Sequence, residues 1–206
     1  EKLLALYELI FQEIDGLPPM ALRRLKDDVA TDLPKKTRMI HALGMPEKQA
    51  VIYEEARKSL IAGKKGAALK VLHHIRSVSV HPDISADVTS SDYIGLSARL
   101  KSTFDILDGI KTSNERALVF IEHIQMQYRF VELLKSRYGL KSVDLINGKT
   151  PIKQRQSIVN HFQRHLKNDC GFDVLVLGPK AAGTGLTLTA ATHVIHLSRW
   201  WNPAVE

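Results

Sequence analysis

A loop with the composition of a phosphate-binding site follows a largely apolar run at residues 173–177. Gly178, Gly183 and Gly185 lie around Lys180 in this loop. Glycine lacks a Cβ atom and tolerates positive φ, so backbone N–H groups can approach a phosphate closely while the lysine adds a positive charge. These residue types favour a phosphate-binding loop, although a tight turn in the core of an α/β domain fits the same pattern equally well.

The elements around this loop predict a parallel α/β unit. A strand at 173–177 enters the loop, a helical turn at 186–191 leaves it, and a second strand follows at 193–197. Both strands are continuous apolar runs, as expected for a parallel sheet that is covered on both faces. Because open α/β sheets bind ligands at the carboxyl ends of their strands, the loop is expected at the working edge of the sheet.

Two adjacent tryptophans, Trp200 and Trp201, follow the second strand directly and precede a turn-forming Asn-Pro pair. Indole rings beside a basic loop suit stacking on bases or wedging into a groove of a nucleic acid. The residues of this region, in their order and spacing, resemble motif V and its extension in the Swi/Snf-type DNA translocases of helicase superfamily two. The resemblance is carried by KAAGTGL at 180–186, LTAA at 188–191, HVI at 193–195 and WNP at 201–203.

The resemblance implies the second, C-terminal RecA-like lobe of an ATP-dependent translocase of double-stranded DNA. Its fold class would be α/β, a RecA-like parallel sheet flanked by helices, with an N-terminal helical accessory block. The resemblance places Gly183, Thr184 and Gly185 at the ATP cleft. The residues that it places at the DNA are Lys180, Gly148, Thr150, His123, Thr187, Trp201, Arg23 and Arg24.

Three segments are expected along the chain. Residues 1–36 form a linker helix and a basic segment, and LRR at 22–24 resembles the lead into the second lobe, although a solvated helix face would have the same composition. Residues 37–111 hold an edge strand at 37–43 and a helical accessory subdomain, in which Arg76 and His81-Pro82 match a further family element. Residues 112–206 form the core of the lobe, which is expected to stop before motif VI.

The composition fits this interpretation without requiring it. With 44% hydrophobic and 25% charged residues the chain is globular in type, and its net charge of +7 suits a polyanionic partner. The single cysteine cannot form an internal disulfide, and no apolar run reaches the length of a membrane span. We expect an intracellular, soluble, DNA-associated protein of a bacterial cytoplasm or a nucleus, with no membrane partner.

Two other motifs do not hold. Gly148-Lys149-Thr150 imitates the end of a P-loop, but Val143 stands where that motif needs its first glycine. By the resemblance Gly148 and Thr150 bind the nucleic-acid backbone, and a helix N-cap by Thr150 is the alternative. His161 and His165 are four apart on one helix but have no third ligand nearby in sequence, so no metal site is expected.

Several positions depart from the family pattern. Glu122 replaces a usual glutamine, which leaves DNA contact by its loop in doubt because a carboxylate repels phosphate. Gly178-Pro179 replaces a hydroxyl pair, Ala182 a glycine and Thr187 an asparagine. Ser198-Arg199 replaces an acidic start to the Trp-Asn-Pro element and makes that edge more basic.

Half of a motor is missing from this pattern. Nothing in the chain resembles the first lobe, which would bind most of ATP and Mg²⁺, and the arginine finger is expected beyond Glu206. We therefore expect an excised second lobe that is inactive as an ATPase alone, with double-stranded DNA, the first lobe and a nucleoprotein client as partners. A non-catalytic Rossmann-like module that binds a nucleotide or nucleic acid is the alternative.

Overall fold

The computed structural model describes residues 2–22, 29, 37–62, 68–164, 171–182 and 186–199. The chain folds as two units, residues 1–40 and 41–206. In the first unit helix α1 (Lys2–Phe11) is followed by a turn in which Gly16 takes φ +77°. Among the described residues, no helix is long and apolar enough to cross a membrane.

The second unit begins with a helical block, as predicted. Its helices are α2 (Glu47–Ile61), α3 (Ala68–Val80), α4 (Ser90–Gly95) and α5 (Ala98–Thr112). The buried Gln49 of α2 donates to the carbonyl of Val78 (2.8 Å) and accepts from the backbone N–H of Ala98 (3.1 Å), so one side chain joins three helices. Helices α4 and α5 are separate because Ser97 caps α5 by accepting from Leu100 N (3.1 Å).

An α/β unit follows, with four parallel strands in the order β2-β3-β1-β4. Its elements are β1 (Arg116–Phe120), α6 (Ile124–Tyr138), β2 (Leu145–Ile146), α7 (Ile152–Gln163), β3 (Asp173–Leu177), α8 (Pro179–Ala182) and β4 (His193–His196). The parallel sheet flanked by helices confirms the predicted fold class. The predicted bounds of β3 are correct, because a short apolar run rich in Val and Leu is a strong signal for a buried strand.

Alternate residues of the central strands enter two separate cores, since side chains of a strand point to opposite faces. Ala117 and Val119 pack in the larger core, under α5 and α6. Leu118 packs in the smaller core with Ile158 and Phe162 of α7. The central strands are therefore covered on both faces of the sheet.

Two predicted elements are wrong. Residues 37–46 have no regular structure, and a strand needs a hydrogen-bonded neighbour. Residues 186–191 form a turn and not a helix, because the Ala190 N–H donates to Oε1 of Gln163 (2.8 Å). Nε2 of the same side chain donates to the Thr189 hydroxyl (2.9 Å). The helix in this region is α8, which begins at Pro179, where a fixed φ and a missing N–H are tolerated.

The second predicted strand is also less covered than expected. β4 lies at the edge of the described sheet and its burial alternates, with Val194 56% exposed and Ile195 packed against the larger core. The continuous apolar run of β4 therefore does not mean that both faces of this strand are covered. The described residues bury only one face of β4.

The buried His81 predicts a pH dependence of stability. Its Nδ1 accepts from Asp83 N (3.0 Å) and its Nε2 donates to the Tyr93 carbonyl (3.0 Å), so the ring is neutral. Burial lowers the pKa of His81 from its ordinary 6.5. A lowered folded pKa means that the unfolded chain binds more protons in this range, so the stabilisation is complete above pH 6.5 and is lost as pH falls through the folded pKa.

Urea unfolding at pH 7 and pH 5 should show this loss in the parent chain. The variant His81→Gln should show a flatter dependence, because the titrating ring is gone. An equal loss of unfolding free energy in the parent and in His81→Gln would contradict the assignment.

Candidate nucleic-acid interface

Loops that leave the four strands meet at one edge, because all four strands are parallel. In the order of the sheet, this edge carries residues 147–150 after β2, 178–180 after β3, 121–123 after β1 and 197–199 after β4. The topology therefore brings together Gly148, Thr150, Lys180 and His123, which were predicted separately. Thr187 is exposed and lies on the segment that returns toward the start of β4.

The loop after β2 is closed by its own side chains. Thr150 Oγ1 accepts from Asn147 N (3.0 Å) and donates to the Leu145 carbonyl (3.3 Å), while Asn147 Oδ1 accepts from Lys149 N (2.9 Å). The alternative N-cap role of Thr150 is wrong, since Pro151 is the cap residue of α7 and no side chain caps that helix. The hydroxyl shapes the loop from within.

Gly148 has no conformational need to be glycine. Its φ is not positive, and a Cβ built on it would meet no atom within 4 Å. The fold would therefore accept a side chain at this position. A glycine here keeps the exposed backbone open to the close approach of another molecule.

The side chain of Gln127, on α6, fixes three of these loops. Its Nε2 donates to the Ile121 carbonyl (2.7 Å) after β1, and its Oε1 accepts from Asn147 Nδ2 (3.0 Å) after β2. Gly178, after β3, leaves little room for a Cβ, which would lie 3.1 Å from Gln127 Nε2 and 3.4 Å from Asn147 Cβ. A side chain at position 178 would thus crowd Gln127, whereas one at position 148 would meet open space.

Positive and aromatic side chains lie on this edge. Lys180 is exposed on α8. Lys149 Nζ lies 6.0 Å from the ring centroid of Tyr128, which is 46% exposed on α6. Sequence reasoning missed both Lys149 and Tyr128. An aromatic residue on the polar side of α6, opposite Phe130, was the available signal.

The loop after β1 differs from what its sequence suggested. Glu122 forms an ion pair with Arg76 of α3, so its negative charge is matched within the fold. The reason for expecting this carboxylate to repel phosphate therefore does not hold. His123 is half-buried, and its Nδ1 is buried without a hydrogen-bond partner among the residues described. Both residues line a cleft of about 600 Å³, together with Arg199 after β4.

Several predicted site residues lie outside the described residues. They are Gly183, Thr184 and Gly185 of the ATP cleft, and Trp201, Arg23 and Arg24 of the DNA site. His165 is also outside, while His161 contacts Asp144 (Nδ1 to Oδ2, 2.9 Å). Within the described ranges, no three His, Cys, Asp or Glu side chains are grouped as metal ligands.

Comparison with known families shows which family this chain belongs to. The family model described as the helicase conserved C-terminal domain matches residues 98–206. The chain belongs to this helicase C-terminal domain family. The SNF2-related domain model matches residues 8–91, which confirms the resemblance to the second lobe of Swi/Snf-type proteins.

A relative with a similar sequence agrees with the helicase C-terminal assignment. YwqA of Bacillus subtilis, described as an ATP-dependent helicase/translocase, is 34% identical over 199 residues, which is 91% of this chain. The chain spans 21% of that relative, about a fifth of its length.

Solved structures show the same fold. The C-terminal domain of the Sulfolobus solfataricus SWI2/SNF2 ATPase has a TM-score of 0.65 at 24% identity, with 79% of this chain and 72% of that chain covered. The core of that ATPase in complex with dsDNA has a TM-score of 0.59 at 23% identity, with 77% and 34% covered. The RecA-like fold of this helicase C-terminal domain is thereby confirmed.

The network under this edge of the helicase C-terminal domain predicts a difference between two neighbouring substitutions. Asn147→Ala should lower the free energy of unfolding by about 2 kcal/mol, because it leaves the buried Gln127 carbonyl without its donor. Gly148→Ala should change it by less than about 0.5 kcal/mol, since the added methyl group meets open space. Urea unfolding midpoints measure both, and equal effects of the two substitutions would contradict the network.

Proposed function

We propose that this chain is the second motor lobe of an ATP-dependent translocase of double-stranded DNA. In this role it forms one wall of the ATP cleft and part of the DNA track. The observation that carries the proposal is the convergence of the phosphate-suited loops, at residues 147–150 and 178–180, on the carboxyl edge of a single parallel sheet. Membership of the helicase C-terminal domain family supports it.

The DNA-facing part of the proposal rests on charge and backbone access. Lys180 and Lys149 supply positive charge, and Gly148 keeps backbone open beside them. Contacts of this kind read the phosphate backbone and carry little sequence information. Thr150 acts by shaping the loop, and His123, Thr187, Trp201, Arg23 and Arg24 complete the proposed DNA contacts. The Sulfolobus solfataricus SWI2/SNF2 ATPase core, which has the same fold, was solved in complex with dsDNA, and this supports DNA as the ligand class.

The ATP-facing part rests on Gly183, Thr184 and Gly185, which follow α8 in the chain. We propose that they face ATP across the interface with a first RecA-like lobe, which holds most of the nucleotide and its Mg²⁺. The partners of the chain are then that lobe, double-stranded DNA and a nucleoprotein client. In the organisation we propose, residues 1–36 lead into the lobe, 37–111 hold its helical accessory part, and 112–206 form its core.

DNA binding by the chain should be independent of sequence and steeply dependent on salt. Lys180→Ala should weaken binding to all duplexes alike and lower the slope of log K against log[salt] by about 0.9, the value for one lost phosphate contact. The matched control is Lys141→Ala, which removes the same charge from an exposed loop before β2, at the opposite edge of the sheet. Fluorescence anisotropy of a labelled duplex measures both. An equal change of slope in the two variants, or strong preference for one base sequence, would contradict the proposed track.

The chain alone should not hydrolyse ATP. Its sequence contains no recognisable P-loop lysine or acidic magnesium box, and a transition-state arginine alone contributes roughly 10³-fold or more in other nucleotide hydrolases. A phosphate-release assay with and without duplex DNA should give the blank rate. DNA-stimulated hydrolysis that a substitution within this chain abolishes would favour a self-contained enzyme instead.

A further inference from the structure

Two arginines of the helical block reach the backbone just beyond β4. Arg99 of α5 donates from Nη1 to the Leu197 carbonyl (3.0 Å). Arg76 of α3 donates from Nη2 to the Arg199 carbonyl (2.6 Å). These two acceptors lie beyond the last residue pair of the β1–β4 ladder, Phe120 with His196. The arginines therefore hold the chain where regular strand pairing has ended.

The exit of β4 is also tied to the end of β1. The backbone N–H groups of Leu197 and Ser198 both donate to the Phe120 carbonyl (3.1 and 3.3 Å). Two residues after Phe120, Glu122 forms its ion pair with the same Arg76 nitrogen that reaches Arg199. One guanidinium therefore joins α3, the loop after β1 and the segment after β4.

The two arginines project from a rigid base. Gln49 joins α2 to α3 and α5, as described above, and Ser97 Oγ donates to the Val80 carbonyl (2.5 Å) to fasten the end of α3 to the start of α5. Gln49 and Ser97 are both fully buried. Because buried hydrogen bonds are costly to break, the positions of Arg76 and Arg99 relative to each other are fixed.

We propose that Arg76 and Arg99 are positioning residues that form a clasp on the chain beyond β4. The clasp consists of the two guanidiniums, the Leu197 and Arg199 carbonyls and the Glu122 carboxylate. It sets the direction in which the chain leaves the sheet, immediately before Trp200 and Trp201. Through it the helical block controls the geometry of the edge that the proposed function assigns to DNA. The clasp itself stands on contacts within the fold, and only its effect on DNA rests on the proposed function.

Glu122 has a defined part in the clasp. A guanidinium has five N–H donors, and a carboxylate beside it strengthens the bond and restricts its rotamers. Replacement of the glutamine that is usual in the family by Glu122 thus gives Arg76 a charged partner. This predicts that Glu122→Gln loosens the clasp less than the loss of Arg76, because an amide oxygen can still accept.

The chain carries its own reporter for this proposal, since its only two tryptophans are Trp200 and Trp201. Arg76→Met and Arg99→Met should each shift the tryptophan emission maximum and raise the acrylamide quenching constant, and the double variant should do so most. Met keeps an apolar stem while it removes the donors. The matched control is Arg57→Met on α2, which removes an exposed arginine paired only with Glu54 among its described contacts, and it should leave the emission unchanged.

Far-UV circular dichroism identifies the variants that remain folded. If an arginine variant unfolds, Glu122→Gln gives the test in a milder form, with a smaller shift in the same direction. Emission and quenching that stay at the parent values in the folded arginine variants, or in Glu122→Gln if those unfold, would overturn the clasp.

In the full-length protein, Arg76→Met should raise the DNA concentration needed for half-maximal ATPase stimulation and change the DNA-independent rate little. A merely structural role would instead lower the DNA-independent and the DNA-stimulated rates together and leave the half-maximal DNA concentration unchanged. The fluorescence experiment decides the clasp whether or not DNA stimulates the full-length protein, so its failure and the failure of the proposed function can be told apart. An unchanged half-maximal DNA concentration would show that the clasp does not serve the DNA edge.

Discussion

The arrangement of the carboxyl edge of the sheet depends on the buried hydrogen bonds of Gln127. Parallel pairing brings the strand ends to one edge, but it does not determine how the loops beyond them are arranged. Gln127 arranges these loops by donating to the Ile121 carbonyl and accepting from Asn147. Gly178 packs against the side chains of Gln127 and Asn147. An amide can serve two loops at once because it carries a donor and an acceptor on one planar group. Because Gln127 is buried, its donor and its acceptor both need partners within the fold. This requirement favours one arrangement of the loops.

Much of the fold could be predicted from the sequence because its central elements have strong local signals. β3 is a run of Val and Leu that begins at Asp173, and α6 ends at Tyr138 because Gly139 follows it with a positive φ. The turn at 186–191 could not be predicted, since it depends on Gln163, more than twenty residues away, which accepts from the Ala190 N–H and donates to the Thr189 hydroxyl. The one-sided burial of β4 depends on its edge position, which follows from strand order and not from its own apolar residues.

The candidate site shows the same division between local and distant causes. Gly148, Lys180 and the family resemblance were evident in local sequence, and the helicase C-terminal family assignment confirms the resemblance. The roles of Gly148 and Lys180 remain predictions. The pairing of Glu122 with Arg76, 46 residues away, could not be seen, so a carboxylate that suggested repulsion of DNA is in fact a partner for an arginine. For Thr150 the sequence indicated either a helix N-cap or a phosphate contact, because a hydroxyl can serve in each role. Its hydrogen bonds within the loop become visible only in the structure.

The proposed function requires DNA to pass along the carboxyl edge of the sheet. A photo-cross-linking amino acid placed at Gly148 in one variant and at Lys141 in another tests it most directly, because both positions are exposed and lie at opposite edges. We expect duplex DNA to cross-link from position 148 with a yield that falls as salt is raised, and position 141 to give only background. Equal yields from the two positions, or a higher yield from position 141, would contradict it.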